Sequence, residues 1–212
     1  MNILIMGAPG SGKGTLSQRL SKKYNLKHLS TGDIFRAEIA KGTELGLILK
    51  ETTEKGLLAP SDILLQVMKN QLGQKEYQNN VLLDGFGKTL DEAKELDNFY
   101  NIDKVIFLEV EYSSLIDRIL KRRICPECGF VTTLEESGDV CGKCGAGLIS
   151  RKDDNETTFK KRYEVFLTQT LPIVDYFEDK DMLYRIDAND TIDNNFDKIC
   201  KILGCPSKEI ER

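Results

Sequence analysis

Short unbroken apolar runs alternate along this chain with stretches in which apolar residues recur every three or four positions. The runs at residues 2–7 (NILIMG), 26–30 (LKHLS), 80–85 (NVLLDG), 104–110 (KVIFLEV) and 182–187 (MLYRID) predict short strands. Their lack of polar alternation suits strands buried on both faces. The periodic stretches predict helices over 13–24, where Leu16, Leu20 and Tyr24 share a face, and over 31–41, 43–55, 61–73, 89–99, 114–123 and 191–203. A longer helical pattern over 157–177 contains Pro172, which predicts a kink or break. Strand–helix alternation of this kind implies an α/β fold with a parallel sheet and right-handed crossovers. Residues 122–156 break the pattern. They are rich in glycine, cysteine and charge and poor in periodic apolar positions.

Composition narrows the class. The 212 residues are 40% hydrophobic and 30% charged, with a formal net charge of -4, enough apolar material for a core and too much for a disordered chain. The length suits one medium domain with inserted subdomains. A mildly acidic balance argues against general nucleic-acid binding. No apolar run approaches the roughly 20 residues of a membrane span. The first ten residues read as a strand and not as a leader, so a cytoplasmic, monomeric protein is the expectation.

The first strand leads through GAPGSGKGT (7–15) into the first helix. This is the strand–loop–helix context of a P-loop. Gly10, Ser11, Gly12, Gly14 and Thr15 turn backbone N–H groups toward phosphate oxygens, and the helix N-terminus adds partial positive charge. Lys13 supplies a point charge for the β- and γ-phosphates. The hydroxyl stands one position later than usual, at Thr15. Mg²⁺ is therefore expected to be organised through water by an acid elsewhere, and Asp84 at the end of a parallel strand is the candidate.

Four of the six cysteines, Cys125, Cys128, Cys141 and Cys144, form C-x2-C-x12-C-x2-C. Two such knuckles can bring four thiolates to one tetrahedral centre, with Zn²⁺ the expected ion and iron a substitute on the same ligands. Four protein ligands leave no open position, so the site is expected to be structural. A metal can supply folding energy that a short insert with few apolar residues lacks. A nucleic-acid-binding zinc ribbon is the rival reading, and the acidic insert GFVTTLEESGDV argues against it. Cys200 and Cys205 read as small buried or partly exposed residues.

GAPGSGKGT, STGD (30–33), DGF (84–86) and RKDD (151–154) stand in the order and spacing of adenylate kinases. The chain resembles the long, lid-bearing bacterial form over nearly its whole length. The resemblance implies a three-layer P-loop fold around a five-stranded parallel sheet, with 1–29, 60–121 and 160–212 as core. It implies a helical NMP-binding subdomain at 30–59 and a zinc-ribbon-like lid at 122–159. The implied reaction is ATP + AMP ⇌ 2 ADP with Mg²⁺. Arg118 matches the residue stacked on the ATP base. Arg122, Arg151 and Arg162 match those closing over the transferring phosphates, Arg36 grips the AMP phosphate, and Asp153 and Asp154 position the arginine cluster. Thr31, Gly85, Lys88 and Glu92 complete the implied acceptor site. Arg123 reads as a neighbour only. Arg118 and Arg122, four apart on one predicted helix, should face the same way. His28, the only histidine, reads as structural.

The chain's main departure from the family is the turn after the third predicted strand. Adenylate kinases usually carry Asp-Gly-Phe-Pro-Arg, and here the stretch is Asp84-Gly85-Phe86-Gly87-Lys88. Lysine brings charge without a planar fork. Glu92 stands where the family has a glutamine that pairs with adenine, and an ionised carboxylate can only accept. The expectation is altered acceptor affinity or base preference, with GMP the alternative acceptor and a catalytically weak nucleotide-binding protein the further alternative. A smaller departure is Ala188, where the family often has glycine near the ATP base.

Overall fold

The structure is a computed structural model in which residues 1–204 are described; Cys205 lies outside the described residues. Five strands form one parallel sheet: β1 (Ile3–Gly7), β2 (Lys27–Ser30), β3 (Val81–Asp84), β4 (Lys104–Glu109) and a C-terminal strand, Leu183–Asp187. Their spatial order places β1 at the centre, β3 and then β2 on one side, and β4 and then Leu183–Asp187 on the other. The five predicted runs are these five strands.

The period-2 geometry of the strands explains their even hydrophobicity. Leu4, Met6, Val81, Leu83, Val105 and Phe107 bury one face of the sheet, and Ile3, Ile5, Leu82, Ile106, Leu108 and Ile186 bury the other. Helix α1 (Lys13–Tyr24) covers the second face with Leu16 and Leu20, beside a C-terminal helix, Ile192–Ile202, that contributes Ile199 and Cys200. Next in the chain come α2 (Thr31–Lys41), α3 (Glu44–Glu54), α4 (Ser61–Leu72), α5 (Leu90–Phe99) and α6 (Tyr112–Lys121). A 3₁₀ turn at Lys75–Tyr77 precedes β3.

Residues 122–156 hold structure that periodicity does not announce. β5 (Arg122–Ile124) pairs antiparallel with β6 (Val131–Thr133), and a single turn of helix, α7 (Leu134–Ser137), follows. This corrects the expectation that Arg118 and Arg122 share a helix face. Helix α6 ends at Lys121, and Arg122 is extended, with ψ 137°, as it opens β5. The pairing of Arg122 with Thr133 takes it out of the helix.

The long helical pattern resolves into α8 (Glu156–Val165), a π-helical segment at Phe166–Thr170 and α9 (Pro172–Glu178). Pro172 has no N–H, and its ring crowds the carbonyl four residues earlier. The preceding turn widens to accommodate it, and Leu171 N–H bonds the Phe166 carbonyl at 2.8 Å. The chain then continues to the C-terminal strand, β7 (Leu183–Asp187), and α10 (Ile192–Ile202).

Candidate functional site: a cluster of cations around the P-loop

The loop between β1 and α1 is built for an anion. Gly10 has φ 86°, and a Cβ there would lie 2.8 Å from the Leu115 carbonyl oxygen, so only glycine fits. Gly12 caps α1 without a side-chain hydrogen bond, which leaves the first N–H groups of the helix without a side-chain acceptor. Such a terminus favours phosphate oxygens. Ser11 is buried, and Lys13 Nζ donates to the Gly7 carbonyl at 2.7 Å and the Ala8 carbonyl at 2.9 Å. Burial brings the Lys13 pKa down to about 8, against the pull of Asp84 and with the push of Lys88 and Arg122.

Asp84 ends β3 beside this loop, opposite Ser30 of β2 and Ile5 of β1. A Cβ on Gly14 would lie 3.9 Å from its Oδ2. Burial works to raise its pKa, and His28, Lys13 and Lys88 together outweigh burial and hold the carboxyl below its ordinary value. His28 Nε2 sits 3.7 Å from Asp84 Oδ2 and is otherwise without a hydrogen-bond partner among the described residues. The strand register explains this contact: His28 lies two residues before Ser30, on the same face of β2, next to Asp84. An ionised carboxylate next to a phosphate loop fits a hydrated divalent cation.

The arginines converge on the same place from three elements and the loop at Arg151. Arg122 at the start of β5 donates from Nε to Asp154 at 2.8 Å and also pairs with it through a terminal nitrogen. Arg162 on α8 pairs with Asp153 at 2.5 Å and donates to the Thr53 carbonyl. Arg36 on α2 is exposed and pairs with Asp33. Arg151 differs from these three. Its Nε is buried with no hydrogen-bond partner among the described residues, and burial together with Arg122 and Arg36 lowers its pKa to about 10 against the pull of Asp154 and Asp153. Lys88 is pushed down too, by burial first and then by Arg162 and Arg36, against the pull of Asp84 and Glu92. Lys13, Arg36, Lys88, Arg122, Arg151 and Arg162 are thus linked by mutual repulsion around Asp84. Charge, not cavity shape, marks the site. The cavities of about 350 and 180 Å³ beside Leu167 and Leu171 are lined by none of these six cations.

Other expected site residues are placed differently. Arg118 donates to the Ala188 carbonyl at 3.0 Å, which fixes it beside the loop after β7. Arg123 donates to the Arg122 carbonyl. Thr31 is fully buried, and its hydroxyl donates to the Gly85 carbonyl at 2.9 Å. Glu92 has no exposed surface. Its Oε1 accepts from Ser61 Oγ at 2.9 Å, and its Oε2 accepts from the N–H groups of Lys88 at 2.9 Å and Thr89 at 3.3 Å. With Thr89 it forms the capping box of α5. The expectation that Glu92 faces an acceptor base does not match this arrangement, because the carboxylate is spent on the chain's own donors. Ser61 and Thr170, which hold Glu92 and Lys88 in place, carry no signal in the local sequence, whereas Asp33, the partner of Arg36, belongs to the STGD motif.

The cysteine segment forms a second centre. The Sγ atoms of Cys125, Cys128, Cys141 and Cys144 all lie within 4.8 Å of one another. The Cys125–Cys144 and Cys128–Cys141 pairs are 3.4 and 3.6 Å apart. Four sulfurs about 2.3 Å from a tetrahedral ion would be about 3.8 Å apart, so the group fits such an ion. The two knuckles are near copies. Gly129 N–H bonds the Cys125 carbonyl as Gly145 N–H bonds that of Cys141, while Cys125 N–H bonds Phe130 as Cys141 N–H bonds Ala146. Gln18 of α1 reaches the Gly129 carbonyl at 3.4 Å, which links this segment to the P-loop helix.

The adenylate kinase family model matches residues 5–182. The chain is 38% identical to an adenylate kinase of Clostridium perfringens strain SM101, with 96% of this chain and 99% of the relative aligned. It is 38% identical to an adenylate kinase of Thermoanaerobacter sp. strain X514, covering 96% and 98%. It is 39% identical to an adenylate kinase of Caldanaerobacter subterraneus subsp. tengcongensis, covering 96% of each.

Proposed function

The chain belongs to the adenylate kinase family, and on that premise we propose how its residues divide the work. The reaction is reversible phosphoryl transfer from ATP to AMP, a phosphotransferase reaction with a phosphate group as acceptor. Little covalent chemistry is asked of the protein, so positioning and charge carry the catalysis. The P-loop backbone from Gly10 to Thr15 and Lys13 hold the ATP phosphates. Arg118 lies against the ATP base. Arg122, Arg151 and Arg162 surround the transferring group, and Arg36 and Lys88 hold the acceptor phosphate. Asp84 holds Mg²⁺ through water, and the ion when bound neutralises phosphate charge.

Cys125, Cys128, Cys141 and Cys144 would hold Zn²⁺, which would supply folding energy to the segment and leave no open position for a part in transfer. Residues 30–59 and 122–159 serve as the acceptor-binding subdomain and the lid around a core of 1–29, 60–121 and 160–212. The short β5–β6 sheet and the cysteine group within 122–159 support this division. No helix among the described residues is long and apolar enough to cross a membrane.

The observation that carries the assignment of roles is Arg151. A half-buried guanidinium whose buried Nε has no partner among the described residues, repelled by Arg122 and Arg36 and only partly offset by Asp154 and Asp153, is costly unless an anion completes it. A phosphoryl group in flight is such an anion. The test is ADP formation, measured by a coupled assay with MgATP and varied AMP, in the parent protein and Arg151→Met. The parent should turn over only when AMP is present, and the variant should lose kcat while still binding ATP. Unchanged kcat in the variant would remove Arg151 from the transferring site.

A further inference from the structure

The turn after β3 is tied down from three other parts of the chain, and none of these ties belongs to the motif itself. Gly85 has φ 78° and Gly87 has φ 59°, so the stretch from Asp84 to Lys88 has little stiffness of its own. Thr31 of α2 holds the Gly85 carbonyl at 2.9 Å. Thr170, the last residue of the π-helical segment, donates its hydroxyl to the Lys88 carbonyl at 2.8 Å. On the amide side, Lys88 N–H donates to Glu92, and Ser61 of α4 in turn donates to the other oxygen of Glu92. The backbone of Lys88 is held on both sides by side chains. Its ammonium has no hydrogen-bond partner among the described residues, and it lies 3.7 Å from where a Cβ on Gly85 would stand.

We propose that Thr170 and Glu92 are positioning residues that clamp the Lys88 backbone at its carbonyl and its amide, and so aim its ammonium at the acceptor phosphate. This rests on the reading that Lys88 holds that phosphate. The physical reason lies in what a lysine lacks. A guanidinium fork sets its own direction by two parallel hydrogen bonds, whereas an ammonium is a point charge on a flexible stem. Its aim must come from where its backbone is fixed. The π-helical segment is part of the device. Widening the turn before Pro172 changes the angular phase of the helix, and Thr170 is where the changed phase meets Lys88. The clamp acts on the acceptor side and leaves the P-loop untouched.

The experiment is steady-state kinetics with AMP and MgATP varied separately, on Thr170→Val, Thr170→Ser, Lys88→Ala and the double variant Lys88→Ala with Thr170→Val. Valine keeps the shape and removes the donor. Loss of one hydrogen bond should raise the AMP KM about three- to tenfold in Thr170→Val and leave the ATP KM unchanged. Serine should restore the parent value. In the Lys88→Ala background, Thr170→Val should add nothing, since there is no ammonium left to aim. An unchanged AMP KM in Thr170→Val overturns the clamp, as does an equal rise in both backgrounds. A lowered Tm with both KM values moved alike would also overturn it, since that describes general loosening. If Lys88→Ala itself leaves the AMP KM unchanged, the acceptor role of Lys88 fails and takes the clamp with it. A raised AMP KM in Lys88→Ala beside an unchanged one in Thr170→Val sinks the clamp alone.

Discussion

Replacing Gly87 by the proline that adenylate kinases usually carry should weaken this protein. Gly87 has φ 59°, and proline is locked near about -65°. The substitution would rotate the backbone by about 120°, and the turn could not keep its path. Lys88 N–H and Thr89 N–H, at 2.9 and 3.3 Å from Glu92 Oε2, would leave a buried carboxylate. Each hydrogen bond to a charged group is worth about 1.5–3 kcal/mol, and the two share one acceptor, so a combined loss of roughly 3–5 kcal/mol is expected. At about 2–4 °C per kcal/mol for a chain of this size, Tm should fall by roughly 6–20 °C. Alanine separates the causes. It can occupy the left-handed region at about 1–2 kcal/mol. Its Cβ would meet the Ala93 Cα at 3.1 Å, a contact that asks α5 to give slightly. The order of stability should therefore be Gly87, then alanine, then proline, read by calorimetry, with the AMP KM rising in the same order. A proline variant as stable as the parent, with its AMP KM unchanged, would refute the reasoning, because the turn would then tolerate the other path.

Arg151→Met should lower kcat about 10²–10³-fold, the range for losing one preorganised donor, while Tm changes little, because the half-buried cation removed is repelled by Arg122 and Arg36 and attracted by Asp154 and Asp153; the coupled assay and calorimetry read the two effects. Lys13 has a pKa of about 8 in the free protein, and bound phosphates must raise it, so nucleotide binding takes up a proton above that pH. ATP affinity should then fall by up to about tenfold per pH unit above about 8, with matching proton uptake in calorimetry, and Lys13→Arg should flatten the profile. Cys128→Ser should abolish stoichiometric metal and lower Tm by about 5–10 °C, read by metal analysis and calorimetry, with ATP-site residues unaffected in the metal-loaded parent.

The sheet could be read from the chain because its rules are local. A strand covered on both faces must be apolar throughout, and a crossover helix must be apolar on one side, so both leave a period. The failures occur where a tertiary pairing decides. Leu115 and Ile119 carry a helical period that runs on into Arg122, yet the antiparallel pair with Thr133 removes Arg122 from the helix. β5, β6 and α7 are too short to show a period, and the paired knuckles hold them in place. Pro172 signals a disturbance, but proline alone does not say whether the helix bends, stops or widens.

In the site, what could be read was the residue that needs a partner, and what could not was the partner's position. GAPGSGKGT specifies backbone conformation, since Gly10 admits no other residue, and so the phosphate loop was legible. RKDD gave the acids that hold two of the arginines, Asp154 for Arg122 and Asp153 for Arg162. Glu92 was misread because the sequence shows its chemistry and not its burial. A carboxylate beside an acceptor site and a carboxylate beneath it look alike until Ser61 is brought across from α4. The pairing pattern then gives the site its logic. Arg36, Arg122 and Arg162 each have an acid of their own, which fixes their geometry before substrate arrives. Donors fixed in advance need no reorganisation in the transition state. Among the described residues, neither the buried Nε of Arg151 nor the ammonium of Lys88 has a hydrogen-bond partner. In the proposed division of roles, the positive charge left over after internal pairing is what the two nucleotides would neutralise, with Arg151 serving the moving phosphoryl group and Lys88 the acceptor.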